Sequence, residues 1–150
     1  MEIGRFCNRD VVFTSRSNTI KEAAQIMRDY HVGDLVVIDE HKSRRVPCGI
    51  ITDRDIVVGV VAKDVDPNAV TVGELMGSEL VVGRDTDELS TTAEVMRAKG
   101  VRRMPVVNAQ GELVGIVTAD DIVDQLAQSL TAVAATASVQ QRREAVLRKS

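Results

Sequence analysis

The heptapeptide "GIITDRD" at Gly49–Asp55 returns as "GIVTADD" at Gly115–Asp121, and the similarity extends well beyond this motif. Ile20 matches Leu89, Ala24 matches Ala93, Met27-Arg28 matches Met96-Arg97, Val32 matches Val101 and Val37 matches Val106, every pair 69 positions apart. Past the segment "DEHKSRRVPC" the spacing becomes 66, from Thr52 to Thr118 and from Asp55 to Asp121. A repeat of fixed period makes each copy one structural unit, and the change of spacing places an insertion of three residues in a loop of the first copy. Within 150 residues each unit has about 60, a size at which burial alone is marginal, so the two must lean on each other.

Each copy reads strand, helix, strand, strand, helix. Ile20, Ala23, Ala24 and Met27 follow the i, i+3, i+4, i+7 spacing of an amphipathic helix, and Leu89, Thr92, Ala93 and Met96 repeat it. A hairpin follows, "DLVVID" with "CGII" in the first copy and "MPVVN" with "LVGIV" in the second, whose turn "NAQGE" is rich in hairpin residues. The β-branched, mostly apolar strands read as buried on both faces. A second apolar-striped helix starts at Ile56-Val57-Val60-Val61 and at Ile122-Val123-Leu126. The expected units are 7–65 and 79–130, with 66–78 as a connection holding one short helical turn at Val72–Met76, and 131–150 as a tail. In that tail Leu126, Leu130, Val133 and Ala137 form a stripe that Gln140 and Glu144 spoil, which predicts helix at first and fraying later.

Composition excludes several classes. Aromatic residues make up 2% of the chain, which argues against stacking platforms for single-stranded nucleic acid. The formal net charge is −3, and the short basic tail "QQRREAVLRKS" is weak ground for a nucleic-acid site. "IVVGVVA" at Ile56–Ala62 is far short of the roughly 20 apolar residues of a membrane helix, and no secretory pattern opens the chain, so no membrane and a cytoplasmic address are expected. Cys7, Cys48, His31 and His41 are too scattered to spell a metal site. No nucleophile elbow, phosphate-loop lysine motif, Gly-x-Gly-x-x-Gly or His-Glu-x-x-His occurs, so the chain reads as a non-enzyme without a catalytic cofactor.

Thr-x-x-Asp at the start of a helix has two readings. As a capping box, Thr52 and Thr118 accept from backbone N–H groups of the first turn, worth about 1 kcal/mol, and the aspartate suits the helix dipole. As a ligand site, the helix N-terminus attracts phosphate, the hydroxyl adds a donor, and the carboxylate accepts from vicinal ribose hydroxyls. The paired acids Asp53/Asp55 and Asp120/Asp121 then divide into one ribose ligand and one exposed helix-start charge.

Over roughly Val11 to Gln128 the sequence resembles two cystathionine β-synthase (CBS) domains in tandem, the arrangement called a Bateman module. The resemblance rests on "VVFTSRSNTIKEAAQIMRDYHVGDLVVID…GIITDRDIV" and "LVVGRDTDELSTTAEVMRAKGVRRMPVVN…GELVGIVTADDIV". It implies an α/β (α+β) fold of two β-α-β-β-α repeats packed about a pseudo-twofold, here with a C-terminal helical extension. It also implies two clefts that take adenosine-containing ligands such as AMP, ADP, ATP, S-adenosylmethionine or NAD(H). Carried over by position, Thr52 and Asp55 hold ribose and phosphate in one cleft and Thr118 and Asp121 in the other. Val32, Gly33 and Ile51, and Ile116, Met104 and Pro105, flank them. Arg102 and Arg103 are expected beside Thr118 and Asp121, whereas the first cleft has Asp34 and, as its nearest cation by sequence, Arg54. Paired guanidinium groups favour phosphate, so the second cleft is expected to bind nucleotides more tightly.

The resemblance further implies a regulatory module with an adenine nucleotide as its regulatory ligand, an unknown protein partner, and a homodimer built on Ile56, Val60, Ile122 and Leu126. The alternative is a dimerisation module whose clefts stay empty and whose Thr-x-x-Asp motifs are only caps.

Overall fold

The computed structural model describes residues 1–39 and 43–149; His41 and Ser150 lie outside them. The described chain builds β1 (Phe13–Ser15), α1 (Ile20–Tyr30), β2 (Asp34–Ile38), β3 (Pro47–Thr52) and α2 (Asp53–Ile56), which runs on into a π-helical turn at Val57–Val61. After the short α3 (Val72–Leu75) the pattern repeats as β4 (Gly83–Arg84), α4 (Leu89–Lys99), β5 (Arg103–Val107), β6 (Leu113–Thr118) and α5 (Ala119–Lys149). Two three-stranded sheets result, ordered β1-β2-β3 and β4-β5-β6. In each, the first strand is parallel to the second across the intervening helix, and the second and third form an antiparallel hairpin. The strand, helix, strand, strand, helix reading of each copy is thus realised.

Local chemistry explains the boundaries. Thr19 caps α1 in a full capping box with Glu22, and the helix ends where His31 enters the left-handed region at φ 55°. The equivalent end of α4 falls on Gly100 at φ 67°, so His31 is a helix terminator here. Ile20, Ala23 and Met27 point into the first core with Leu35, Val37, Ile51 and Val60. Met96, Met104, Val106, Val117 and Ile122 fill the second. β2 is buried through its middle, as expected, but β3 alternates, with Gly49 and Ile51 inward and Ile50 and Thr52 toward the other face.

The repeats exchange their leading segments. The 3-10 turn Ile3–Arg5 docks on the second repeat, where Ile3 is completely buried, and α3 docks on the first, where Val72 is completely buried. Ile3-Gly4 and Val72-Gly73 stand 69 residues apart, so the repeat begins earlier than the unit boundaries read from sequence, and the expected connection supplies Val70, Val72, Leu75 and Met76 to the first core. Gly115 and Gly49 permit the docking: an added Cβ would lie 2.5 Å from the Cys7 Sγ in one case and 2.6 Å from the Met76 Sδ in the other. Burial in this packing pushes the Cys7 thiol pKa up. Paired isolated bridges, Glu2 with Glu88 and Thr19 with Thr71, repeat the exchange symmetrically.

Two expectations change. The tail is continuous α-helix to Lys149; it holds neither Gly nor Pro and is rich in alanine, so no residue stops propagation. Val60 and Ile122 face their own cores and are unavailable for assembly, and the apolar side chains exposed around them are Val57, Val58, Val61, Val123 and Leu126.

Candidate functional site

A cleft of about 400 Å³ lies between the repeats. One wall is Ile50 and Thr52 of β3 with Asp55 of α2; the other is the turn from Gly100 through Val101, Arg102 and Arg103, and Glu79, Leu80 and Val81 close an end. The volume suits a small organic ligand. Thr52 and Ile50 reach it because they share one face of β3, while Ile51, completely buried in the first core, faces away.

Thr-x-x-Asp forms a capping box in both repeats. The Asp55 N–H donates to the Thr52 Oγ1 at 3.1 Å, and the Thr52 N–H donates to the Asp55 Oδ2 at 2.9 Å. The second copy adds a bond: the Thr118 hydroxyl donates to the Asp121 Oδ2 at 2.8 Å, an oxygen that also takes the Thr118 N–H at 2.8 Å. Within its motif the Thr52 hydroxyl only accepts, so its proton is available to a ligand, as is the Asp55 Oδ1. The first-turn residues of both helices are tied to the preceding turn, Asp53 N–H to the Gly33 carbonyl at 2.9 Å and Ala119 N–H to the Arg102 carbonyl at 2.8 Å.

The arginines sit where sequence adjacency does not put them. Arg102 and Arg103 line the cleft of Thr52 and Asp55, and Thr118 and Asp121 are not among its walls. Arg103 and Asp34 occupy equivalent positions of the two repeats and form an ion pair across the pseudo-twofold through Nη1 and Oδ2. Arg102, largely exposed, pairs with Asp120 at 3.2 Å. The expectation of one arginine-rich cleft and one anionic cleft therefore fails: the cation of one repeat and the anion of the other meet in the same place. Sequence adjacency sets each motif beside the turn of its own repeat, whereas face-to-face packing joins the strand end of one repeat to the helix turn of the other.

The remaining expected residues separate. Met104 and Pro105 are buried in the second repeat, Val32 packs beside the first core, and Arg54 is exposed outside the cleft walls. Gly33 lies against the Asp53 carboxylate, and Ile116 exchanges both backbone hydrogen bonds with Asn8. Glu79, Leu80 and Val81 were not picked out from sequence, where nothing but their place beside the second repeat marked them. Among the described residues no three His, Cys, Asp or Glu side chains gather to hold a metal ion, and no helix is long and apolar enough to cross a membrane.

Two stretches of the chain, 3–61 and 72–128, match the model of the CBS domain. The chain belongs to the CBS-domain family. This tandem CBS protein is 34% identical over 123 residues to protein MK0525 of Methanopyrus kandleri, covering 82% of the chain and 61% of that relative. It thus spans less than two thirds of MK0525. The crystal structure of Hypoxic Response Protein I with two coordinated zinc ions superposes with a TM-score of 0.71 at 32% identity, covering 83% of this chain and 98% of that one. The structure of CBSX2 in complex with AMP gives a TM-score of 0.69 at 26% identity, covering 85% and 96%.

Proposed function

We propose that this CBS pair is a regulatory module that binds an adenosine-containing ligand, AMP first among them, in the cleft bounded by Thr52, Asp55, Arg102 and Arg103. The observation that carries this is the convergence of an uncommitted hydroxyl proton, an uncommitted carboxylate oxygen and two guanidinium groups, drawn from both repeats, on one cleft. The carboxylate matches a ribose diol, the guanidinium groups match a phosphate, and Ile50, Leu80, Val81 and Val101 offer apolar surface to a base. The AMP complex of the related CBSX2 supports the same choice. Because both walls belong to different repeats, a ligand that draws them together changes the inter-repeat geometry, and two copies associating through exposed helical faces pass that change to a protein partner.

Calorimetric titration of AMP into wild type and Asp55→Asn tests the reading. Asparagine keeps an oxygen for the Thr52 N–H while losing the charge, so affinity falls tenfold or more as a charge-assisted ribose contact is weakened. The competing reading, a dimerisation module with empty clefts, draws on the complete capping boxes of both motifs. It requires that no adenine nucleotide raise the melting temperature of the wild type.

A further inference from the structure

The pseudo-twofold gives the walls of the Thr52 cleft their counterparts. At the spacing of 66 residues Ile50, Thr52 and Asp55 correspond to Ile116, Thr118 and Asp121. At the spacing of 69, Gly77 corresponds to Asn8, and Arg102-Arg103 to Gly33-Asp34. We infer that the chain itself closes this counterpart, so that the protein holds one nucleotide per chain, in the Thr52 cleft alone. The inference rests on the reading of that cleft given above and adds to it how many ligands the pair takes.

The deciding difference lies in the main chain at the outer edges of β3 and β6. Opposite residues of an antiparallel ladder either exchange their hydrogen bonds or both turn them away. The Val36 N–H donates to the Val12 carbonyl of the β1 side at 3.2 Å, so Ile50, opposite Val36, turns its N–H and C=O outward from β3. Pro105 has no N–H to give, and Ile116 opposite it turns outward from β6 in the same way. There Asn8 takes both groups: its N–H donates to the Ile116 carbonyl at 2.9 Å, and the Ile116 N–H donates to the Asn8 carbonyl at 2.9 Å. Among the described residues no such bridge joins Gly77 to Ile50, and a Cβ built on Gly77 meets nothing within 4 Å. A paired edge has no donor or acceptor left for a ligand, whereas the edge at Ile50 keeps both.

The preceding residue sets how near each segment comes. Cys7 and Met76 stand 69 positions apart, and the sulfur of each packs on the glycine before the edge residue, Gly115 or Gly49. The methionine Sδ is one bond further from the main chain than the cysteine Sγ, so Met76 holds its segment off β3 while Cys7 draws Asn8 onto β6. Asn8 is fixed there, its Oδ1 accepting the Asp10 N–H at 2.9 Å, and Arg9 Nη2 donates to the Gly4 carbonyl at 2.8 Å. Two further features agree. The Thr118 hydroxyl is spent on Asp121, and Gly33-Asp34 brings an anion where the Thr52 cleft has two guanidinium groups.

Equilibrium dialysis of the full chain against AMP should saturate at one nucleotide per chain. Asp121→Asn should leave that number unchanged and the dissociation constant within about twofold, whereas Asp55→Asn should weaken binding and uncover no second tight site. Amide exchange followed by NMR reads the closed edge without a ligand: the Ile116 N–H should exchange at least about tenfold more slowly than the Ile50 N–H, and saturating AMP should leave the Ile116 resonance in place. Saturation at two per chain, loss of affinity in Asp121→Asn, or an Ile116 N–H that exchanges as fast as that of Ile50 would overturn the inference, while the Thr52 cleft would stand as a site. No bound AMP at all would remove the reading of that cleft and the count of one with it.

Discussion

Replacing Asp34 by asparagine should turn the cleft toward phosphate. Asp34 occupies the guanidinium of Arg103, the group placed to recognise an anionic ligand, and the two side chains are only 27% and 35% exposed. A phosphate that shared the guanidinium would stand about 6–7 Å from the carboxylate, a repulsion of ~0.6 kcal/mol in water and ~2.5 kcal/mol at an effective dielectric of about 20. A half-buried pair falls between these limits, so removing the charge is worth about 1.4 kcal/mol, roughly tenfold in the dissociation constant of AMP. The amide of the Asp34→Asn variant can still hydrogen-bond to Arg103, which preserves the geometry, and the lost ion pair costs at most about 1 kcal/mol, or about 2–4 °C of melting temperature. Calorimetry with AMP and with adenosine separates charge from shape, since adenosine carries no phosphate and its affinity should stay within about twofold. Unchanged or weaker AMP binding, or an equal gain for adenosine, would refute the reasoning, because either result means that Arg103 and Asp34 do not share the phosphate subsite.

Other consequences can be measured independently. Thr118→Ala should lower stability by about 1 kcal/mol through loss of a helix cap, yet leave AMP affinity unchanged because Thr118 is not a wall of the cleft; denaturant melts and calorimetry check the two halves. Gly115→Ala drives a methyl to 2.5 Å from the Cys7 Sγ and 2.9 Å from the Asn8 carbonyl oxygen, and should destabilise by about 1–3 kcal/mol in a thermal melt. The raised Cys7 pKa means that the folded chain binds the thiol proton more firmly than the unfolded chain. Its contribution to stability is complete below the ordinary value of 9.0 and is lost as pH rises through the folded value, which denaturant titrations at increasing pH would show as a falling midpoint. Burial also makes Cys7 slower than the half-buried Cys48 to react with iodoacetamide, readable by peptide mass mapping.

The hairpins and the long helices were legible in the sequence because each carries its own period, and the second copy confirmed the first residue by residue. The exchange of leading segments was marked only by Ile3-Gly4 and Val72-Gly73, a match too short to stand out, although its spacing is the same 69 residues. For the site, Thr52 and Asp55 were legible from their motif, but the neighbours of Arg103 were not. β5 places Arg103 opposite Thr118 within one sheet, and only the way the two sheets face each other aims its side chain at Asp34. The orientation of Val60 against Val57 and Val61 was likewise hidden, because a π turn shifts the buried face of a short helix off the usual helical period.

The exchanged first turns have a consequence for how the chain can come apart. Each core contains a side chain, Ile3 or Val72, that belongs by sequence to the other repeat, so neither repeat closes its own apolar interior. Severed halves would each carry a plug with no socket and a socket with no plug. A lone repeat could become complete only by borrowing the turn of another, which makes pairing a condition of its folding. In the joined chain the same interlock couples the two cores: the first few residues leave the second core only by opening it, and a disturbance of α3 reaches the first.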